Sequence, residues 1–341
     1  MPNSNNNIDN ENELEIKNLS VEYRTQSGVV SAVNNLDITI KKGKTLALVG
    51  ETGAGKTTTG LSIMRLISSP PGIITSGSVC VDGKNTLDMS VKELRQLRGD
   101  HVAMIFQDPM TSLNPVQSVE KQIAEAIREH NKKMSKKQVL AKAREMLELV
   151  GIPKERGVEY PHQFSGGMKQ RVVIAIALSC KPSLLIADEP TTALDVTIQA
   201  QVMELMRDLQ CKYKTSMLMI THDLGIVAEI CDEVSIIYAG QIVEHGNLVD
   251  IYDNTKHPYT IGLFNSLPNM ENRTAKLKPI KGLMPDPSNL PTGCPFHPRC
   301  DYATPICSQK MPPITNINET HYVKCHNFEN TTLGKDGGLH E

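Results

Sequence analysis

Between Leu14 and Gly246 the chain alternates short, uninterrupted apolar runs with stretches whose apolar positions recur at helical spacing. The runs Leu46–Val49, Val102–Phe106, Leu184–Ala187 and Met217–Ile220 contain no polar residue. Strands covered on both faces have this composition, so the pattern predicts a mostly parallel sheet with helices packed on either side. Ser135 to Val150 predicts an amphipathic helix. Ser135 and Gln138 have capping-box spacing, Val139, Leu140, Ala143, Met146, Leu147 and Val150 fall on one face, and Gly151 with Pro153 stops the helix. After His257-Pro258 the periodicity fades into Pro-rich, loop-like sequence, which places a boundary near residue 255. No internal repeat is visible.

Composition narrows the class. The chain has 341 residues, enough for a large domain and a smaller extension, with a net charge of −2 and 22% charged residues. That balance lacks the basic footprint of a nucleic-acid binder. Val172–Leu178 is the longest apolar stretch, far short of the roughly 20 residues that span a bilayer. The opening 1–12 is polar and Asn-rich and reads as a disordered tail without a signal segment. A soluble protein that reaches membranes only through partners is the expectation.

Gly50-Glu51-Thr52-Gly53-Ala54-Gly55-Lys56-Thr57, followed by Thr58, fits the phosphate-loop pattern G-x-x-x-x-G-K-[ST] between a strand and a helix. Its glycines let backbone N–H groups turn towards phosphate oxygens, and the helix N-terminus adds its positive end. Lys56 is expected on the β- and γ-phosphates of ATP and Thr57 on Mg²⁺. The strand Leu184–Ala187 ends in Asp188 and Glu189. Alone, these read as two solvated acids. Beside a phosphate loop, Asp188 reads as the Mg²⁺-holding carboxylate and Glu189 as the base that polarises the attacking water.

Phe164-Ser165-Gly166-Gly167-Met168-Lys169-Gln170-Arg171, just upstream of the Asp-Glu strand, resembles the signature motif of ATP-binding-cassette (ABC) proteins. The resemblance implies an α/β P-loop (RecA-like) nucleotide-binding domain over 13–255, with a helical subdomain at about 108–175 and an antiparallel β subdomain. It further implies that Ser165, Gly166 and Gly167 cap the γ-phosphate of a nucleotide held by the opposite subunit. Gln107 matches the glutamine that senses Mg²⁺ and water, His222 the switch histidine, Asp195 the loop crossing the dimer interface, and Tyr23 the aromatic stacking on adenine. Phe164 and Met168 depart from the commoner Leu and Gln of the motif without removing its serine or glycines.

FQDPMTSLNP from Phe106, HQFSGGMKQR from His162, HPYTIGLFNSLP from His257 and the motif CPFHPRC are similar to the ATPases of oligopeptide/dipeptide importers, a group that includes nickel importers. This implies peptide uptake at the cytoplasmic face of the cell membrane, with nickel or another small solute as the alternative cargo. It implies as partners a second, related ATPase subunit, two transmembrane permease subunits and an extracellular or periplasmic substrate-binding protein, without nucleic acid. A soluble cassette in DNA repair or translation is the competing class, and a single cassette without a heptad run argues against it.

Eight cysteines are unevenly spread. Cys80, Cys180, Cys211 and Cys231 read as buried small apolar residues, and no export signal suggests disulfides. Cys294, Cys300, Cys307 and Cys325 crowd into the extension 256–341. Their gaps do not match C-x₂₋₄-C zinc pairs, and four thiolates suit a [4Fe–4S] cluster about as well. The importer resemblance implies such a cluster, with zinc or free thiols as alternatives and His297 and His326 as substitute ligands.

Overall fold

The computed structural model describes residues 11–26, 28–192, 194–267 and 278–331. Among these, the central feature is an eight-stranded sheet. Five parallel strands run from its middle to one edge, in the order Glu233–Tyr238, Thr45–Val49, Ser216–Thr221, Leu184–Asp188 and Val102–Ile105. Antiparallel strands Gln241–Asn247, Tyr322–Val323 and Thr315–Asn316 extend the other edge. The four apolar runs are strands, as the sequence predicts, with ends shifted by a residue or so.

Their lack of polar positions has a direct cause. Alternate residues of each central strand enter two different cores. Leu46, Leu48, Leu184, Ile186, Leu218 and Ile220 pack towards the antiparallel sheet and the helix Lys56–Ile63. Ala47, Val49, Leu185, Ala187, Met217 and Met219 pack towards the helices on the opposite face. The second sheet, with strands in the order Gly28–Lys41, Asn12–Thr25, Gly72–Val81 and Lys84–Asn85, is antiparallel throughout. Towards its end the strand Gly28–Lys41 buries every second residue, Leu36, Ile38 and Ile40, as a sheet with one wet face requires.

Helix Gly166–Leu178 carries the signature segment at its start and packs against helices Val119–His130 and Lys136–Leu149. The last of these has the capping box expected of it: Ser135 accepts from the Gln138 N–H and the Gln138 side chain returns to Ser135. Asn12 already belongs to the first strand, and 1–10 lie outside the described residues. The segment after 255 shares the main core: Phe296 and Tyr259 are buried in it, and its two short strands complete the sheet edge. Buried Glu244 joins the parts. It accepts from the Thr255 hydroxyl and the His257 N–H and lies 3.0 Å from His321 Nε2.

The reading of four dispersed cysteines as buried is corrected. Cys231 is buried, Cys80 and Cys180 are half-buried, and Cys211 is exposed, because the helix Val196–Tyr213 turns that position to solvent.

Candidate active site

Three strand ends and one helix start deliver the reactive groups to one place. Thr45–Val49 leads into the loop Gly50–Gly55, which opens the helix Lys56–Ile63. Gly55 adopts φ 103°, and a Cβ there would meet the Ala32 carbonyl oxygen at 2.4 Å, so only glycine fits. Lys56 is 6% exposed, and its ammonium donates to the carbonyl oxygens of Gly50 (2.8 Å) and Glu51 (3.1 Å). Burial lowers the Lys56 pKa, and the carboxylates of Glu189, Asp188 and Glu51 oppose that shift. Thr52, Gly53 and Thr57 are exposed at the mouth, while Ala54 is buried. The Tyr23 hydroxyl lies 3.3 Å from that of Thr58 at the start of the helix.

Glu189 is the hub. It leaves the end of the strand Leu184–Asp188 in a left-handed backbone conformation, φ 47°, with its N–H bonded to the Ile220 carbonyl. Such a φ is uncommon for a residue with a side chain and is held by its surroundings. The carboxylate is nearly enclosed. Gln107 Nε2 donates to it at 2.9 Å, the Thr192 hydroxyl at 3.0 Å, His222 Nδ1 lies at 3.3 Å and Lys56 Nζ at 4.0 Å. Thus Lys56, Gln107 and His222, drawn from positions up to 166 residues apart (222 − 56), converge on the Glu189 carboxylate. Thr192 was not singled out by the sequence reading, although its place three residues after Glu189 was a usable signal.

Asp188 sits beside this group, 2% exposed, and its Oδ1 has no hydrogen-bond partner. Burial raises its pKa, partly offset by a hydrogen bond with the Thr57 side chain and increased by neighbouring Glu189. An orphaned, desolvated carboxylate oxygen next to a threonine hydroxyl is a fitting pair of oxygen donors for Mg²⁺.

The signature segment is placed differently. Ser165 caps the helix Gly166–Leu178, accepting from the Met168 N–H, and Ser165 and Gly166 face solvent. Gly167 is buried, and a Cβ on it would strike Ile198 Cγ2 at 2.4 Å. Asp195 is likewise exposed and caps the helix Val196–Tyr213 through the Ile198 N–H. Neither segment joins the cluster around Glu189 within this chain.

An ABC transporter family model matches residues 33–192, and an oligopeptide/dipeptide transporter C-terminal region model matches 243–307. The oligopeptide transport ATP-binding protein OppD of Bacillus subtilis (strain 168) is 50% identical over 314 residues, 91% of this chain and 87% of that protein. The chain belongs to the family of ATP-binding subunits of oligopeptide and dipeptide ABC transporters. The dipeptide transport ATP-binding protein DppD of the same organism is 48% identical, covering 92% of this chain and 93% of its own length. A dimeric ATP-binding cassette solved in a post-hydrolysis state with ADP and Pi superposes with a TM-score of 0.62 at 26% identity, over 69% of this chain and 98% of that one. The chain is accordingly an ATP-hydrolysing subunit of a peptide transporter.

The iron–sulfur expectation is overturned, and zinc gains no support. Among the described residues no group of three or more His, Cys, Asp or Glu side chains is disposed to hold a metal ion. Cys294, Cys300, Cys307 and Cys325 do border one pocket with His297 and His326. Burial there raises the thiol pKa values of Cys294, of Cys300 to about 12 and of Cys325 to about 11. The segment is instead ordered by packing and local bonds: Phe296 stacks among Tyr238, Tyr259 and His257, and the Cys294 N–H bonds the Cys307 carbonyl. The relatives carry names of peptide-transport ATP-binding proteins only.

Proposed function

We propose that this chain works as one of two related, non-identical ATPase subunits that together drive uptake of di- or oligopeptides through two membrane-embedded permease subunits fed by an external binding protein. The observation that carries this reading is the complete hydrolytic set around Glu189, in a chain that matches peptide-transport ATP-binding proteins over nine-tenths of its length. The exposure of Ser165, Gly166 and Asp195 supports the need for a second cassette, since these polar helix starts point to solvent instead of to the chain's own site.

In this reading Tyr23 lies against the base of ATP, the loop 50–57 and Thr58 hold its phosphates, and Asp188, Thr57 and Gln107 hold Mg²⁺. When bound, the metal neutralises charge on the β- and γ-phosphate oxygens. Glu189 takes the proton of the attacking water, while His222 and Gln107 orient its carboxylate and sense the γ-phosphate. Ser165, Gly166 and Gly167 close over the partner's nucleotide, and Asp195 lies at the joint. Loss of the γ-phosphate removes contacts that favour the closed pair, which then opens. The segment flanking Gln107 exposes Phe106 (44%) and Val116 (78%), apolar surface suited to a permease loop. No helix among the described residues is long and apolar enough to cross a membrane, so attachment runs through those subunits.

The test is reconstitution of the complete transporter in vesicles. Peptide-loaded binding protein is expected to stimulate ATP hydrolysis and uptake of labelled peptide. Stimulation and uptake with nickel but not with any peptide would overturn the cargo, and full activity with two copies of this chain would overturn the unlike pair.

A further inference from the structure

The first variable position of the phosphate loop is tied to the C-terminal segment more firmly than its sequence suggests. Glu51 is bound at three points. Its N–H donates to the Tyr259 hydroxyl at 2.8 Å, its carbonyl oxygen accepts from Lys56, and its carboxylate meets Arg299 in a fork. The two Arg299 contacts are Nη1 to Oε2 at 2.7 Å and Nη2 to Oε1 at 3.1 Å. Arg299 spends its other donors on the segment itself and on the sheet. Nε bonds the Lys281 carbonyl at 2.8 Å, Nη2 the Gly282 carbonyl at 3.3 Å, and Nη1 the Tyr238 hydroxyl at 3.3 Å. Its side chain is only 5% exposed. Tyr259 is fully buried, with its ring 4.6 Å from Tyr238 and 5.4 Å from Phe296.

A surface ion pair would matter little, but a partly buried, bidentate guanidinium–carboxylate pair is rigid and more strongly coupled; here the Glu51 side chain keeps 30% exposure. Removing one member leaves the other charged, only partly solvated and without its partner. Here the surviving charge would be a carboxylate on the loop that receives a polyanion. Glu51 lies close enough to Lys56 to influence its protonation, so the field of its carboxylate reaches the phosphate site.

We propose that Arg299 and Tyr259 are positioning residues for ATP binding: the C-terminal segment fixes the first half of the phosphate loop through Glu51 and neutralises its carboxylate. The proposal rests on the reading of residues 50–57 as the ATP site, and adds that the segment after 255 is part of that site's scaffold. It follows that rearrangement of the segment alters nucleotide affinity first and chemistry second.

The experiment is steady-state ATP hydrolysis by the assembled transporter, with KM and kcat separated, alongside a fluorescent-ATP titration. Two unit charges roughly 10 Å apart at an effective dielectric of about 20 change an equilibrium by about tenfold. Arg299→Met is therefore expected to raise the KM for ATP about tenfold, with kcat within about twofold of wild type. Arg299→Lys keeps the charge but loses the fork and should fall between the two. Tyr259→Phe keeps the ring packing and removes the acceptor of the Glu51 N–H; it should raise KM severalfold. Adding Glu51→Gln to Arg299→Met removes the uncompensated charge and should recover most of the lost affinity, an outcome that a purely structural role does not give. An unchanged KM in Arg299→Met, a loss confined to kcat, or an equal KM defect in the double variant would each overturn the proposal. If Arg299→Met does not assemble, Arg299→Lys and Tyr259→Phe decide, and unchanged KM in both overturns it. Failure of the ATP-site reading is distinguishable, because the wild-type assembly would then bind no fluorescent ATP.

Discussion

Replacing Glu189 by Gln removes one negative charge from the end of the strand Leu184–Asp188 and leaves the size of the side chain unchanged. The carboxylate receives Gln107 and Thr192 on Oε2 and His222 on Oε1, with Lys56 Nζ 4.0 Å away. At an effective dielectric of about 20 the attraction between charges 4 Å apart is about 4 kcal/mol before desolvation is counted. Lys56 keeps two carbonyl acceptors and Asp188, so the loop should survive and folding should change little. Losing the proton acceptor is expected to slow hydrolysis about 10²- to 10⁴-fold, a barrier increase of about 3–5 kcal/mol. ATP affinity should hold or rise, since a neutral amide repels the γ-phosphate less than a carboxylate does. The assay is phosphate release from the reconstituted transporter, with filter retention of labelled ATP. Slow release with stoichiometric ATP retained is the expected result. More than about a tenth of wild-type turnover would refute Glu189 as the base.

The remaining predictions concern single groups. Asp188→Asn should abolish Mg²⁺-dependent hydrolysis while leaving the nucleotide-free protein equally stable or more stable by about 1 kcal/mol, because it replaces a desolvated charge with a neutral group; a marked fall in melting temperature without nucleotide would contradict this. His257 is fully buried and neutral, its Nδ1 accepting from the Tyr259 N–H, and burial lowers its pKa from 6.5 to about 4, as burial also does for His245. Both folded values lie below the unfolded value, so the stabilisation is whole above pH 6.5 and is lost as pH falls towards 4; denaturant melts should lose about 1.4 kcal/mol per pH unit per histidine in that window, and His257→Asn should flatten the slope. Gly55→Ala should impair both folding and ATP binding, because the Cβ meets the Ala32 carbonyl at 2.4 Å in a backbone conformation that favours glycine; normal ATP binding by this variant would show that the loop relaxes at no cost.

Local pattern reached far in this chain, because its chemistry sits at the ends of short buried strands. Apolar runs marked four central strands, and the polar residues closing or following them, Gln107, Asp188, Glu189 and His222, are site residues for that reason. The phosphate loop was legible because its backbone conformation demands glycine at fixed spacing. Helix limits at Ser135 and Gly151 were legible because capping is a local matter.

What sequence could not supply was which distant residues meet. Convergence of Gln107, Lys56 and His222 on Glu189 depends on strand order, and adjacent strands in the parallel sheet come from far-apart parts of the chain. The same limit explains the cysteines. Four thiols close in sequence suggested a metal cluster, and the fold does bring them to the border of one pocket, but among the described residues no group disposed to hold a metal ion results. The same limit applies to Arg299. Its partner Glu51 lies 248 positions away, and only the folding of the C-terminal segment against the sheet brings the two together. Sequence alone thus determined the elements and the reactive groups they carry; tertiary structure decided which groups meet, because burial and charge pairing act between neighbours in space.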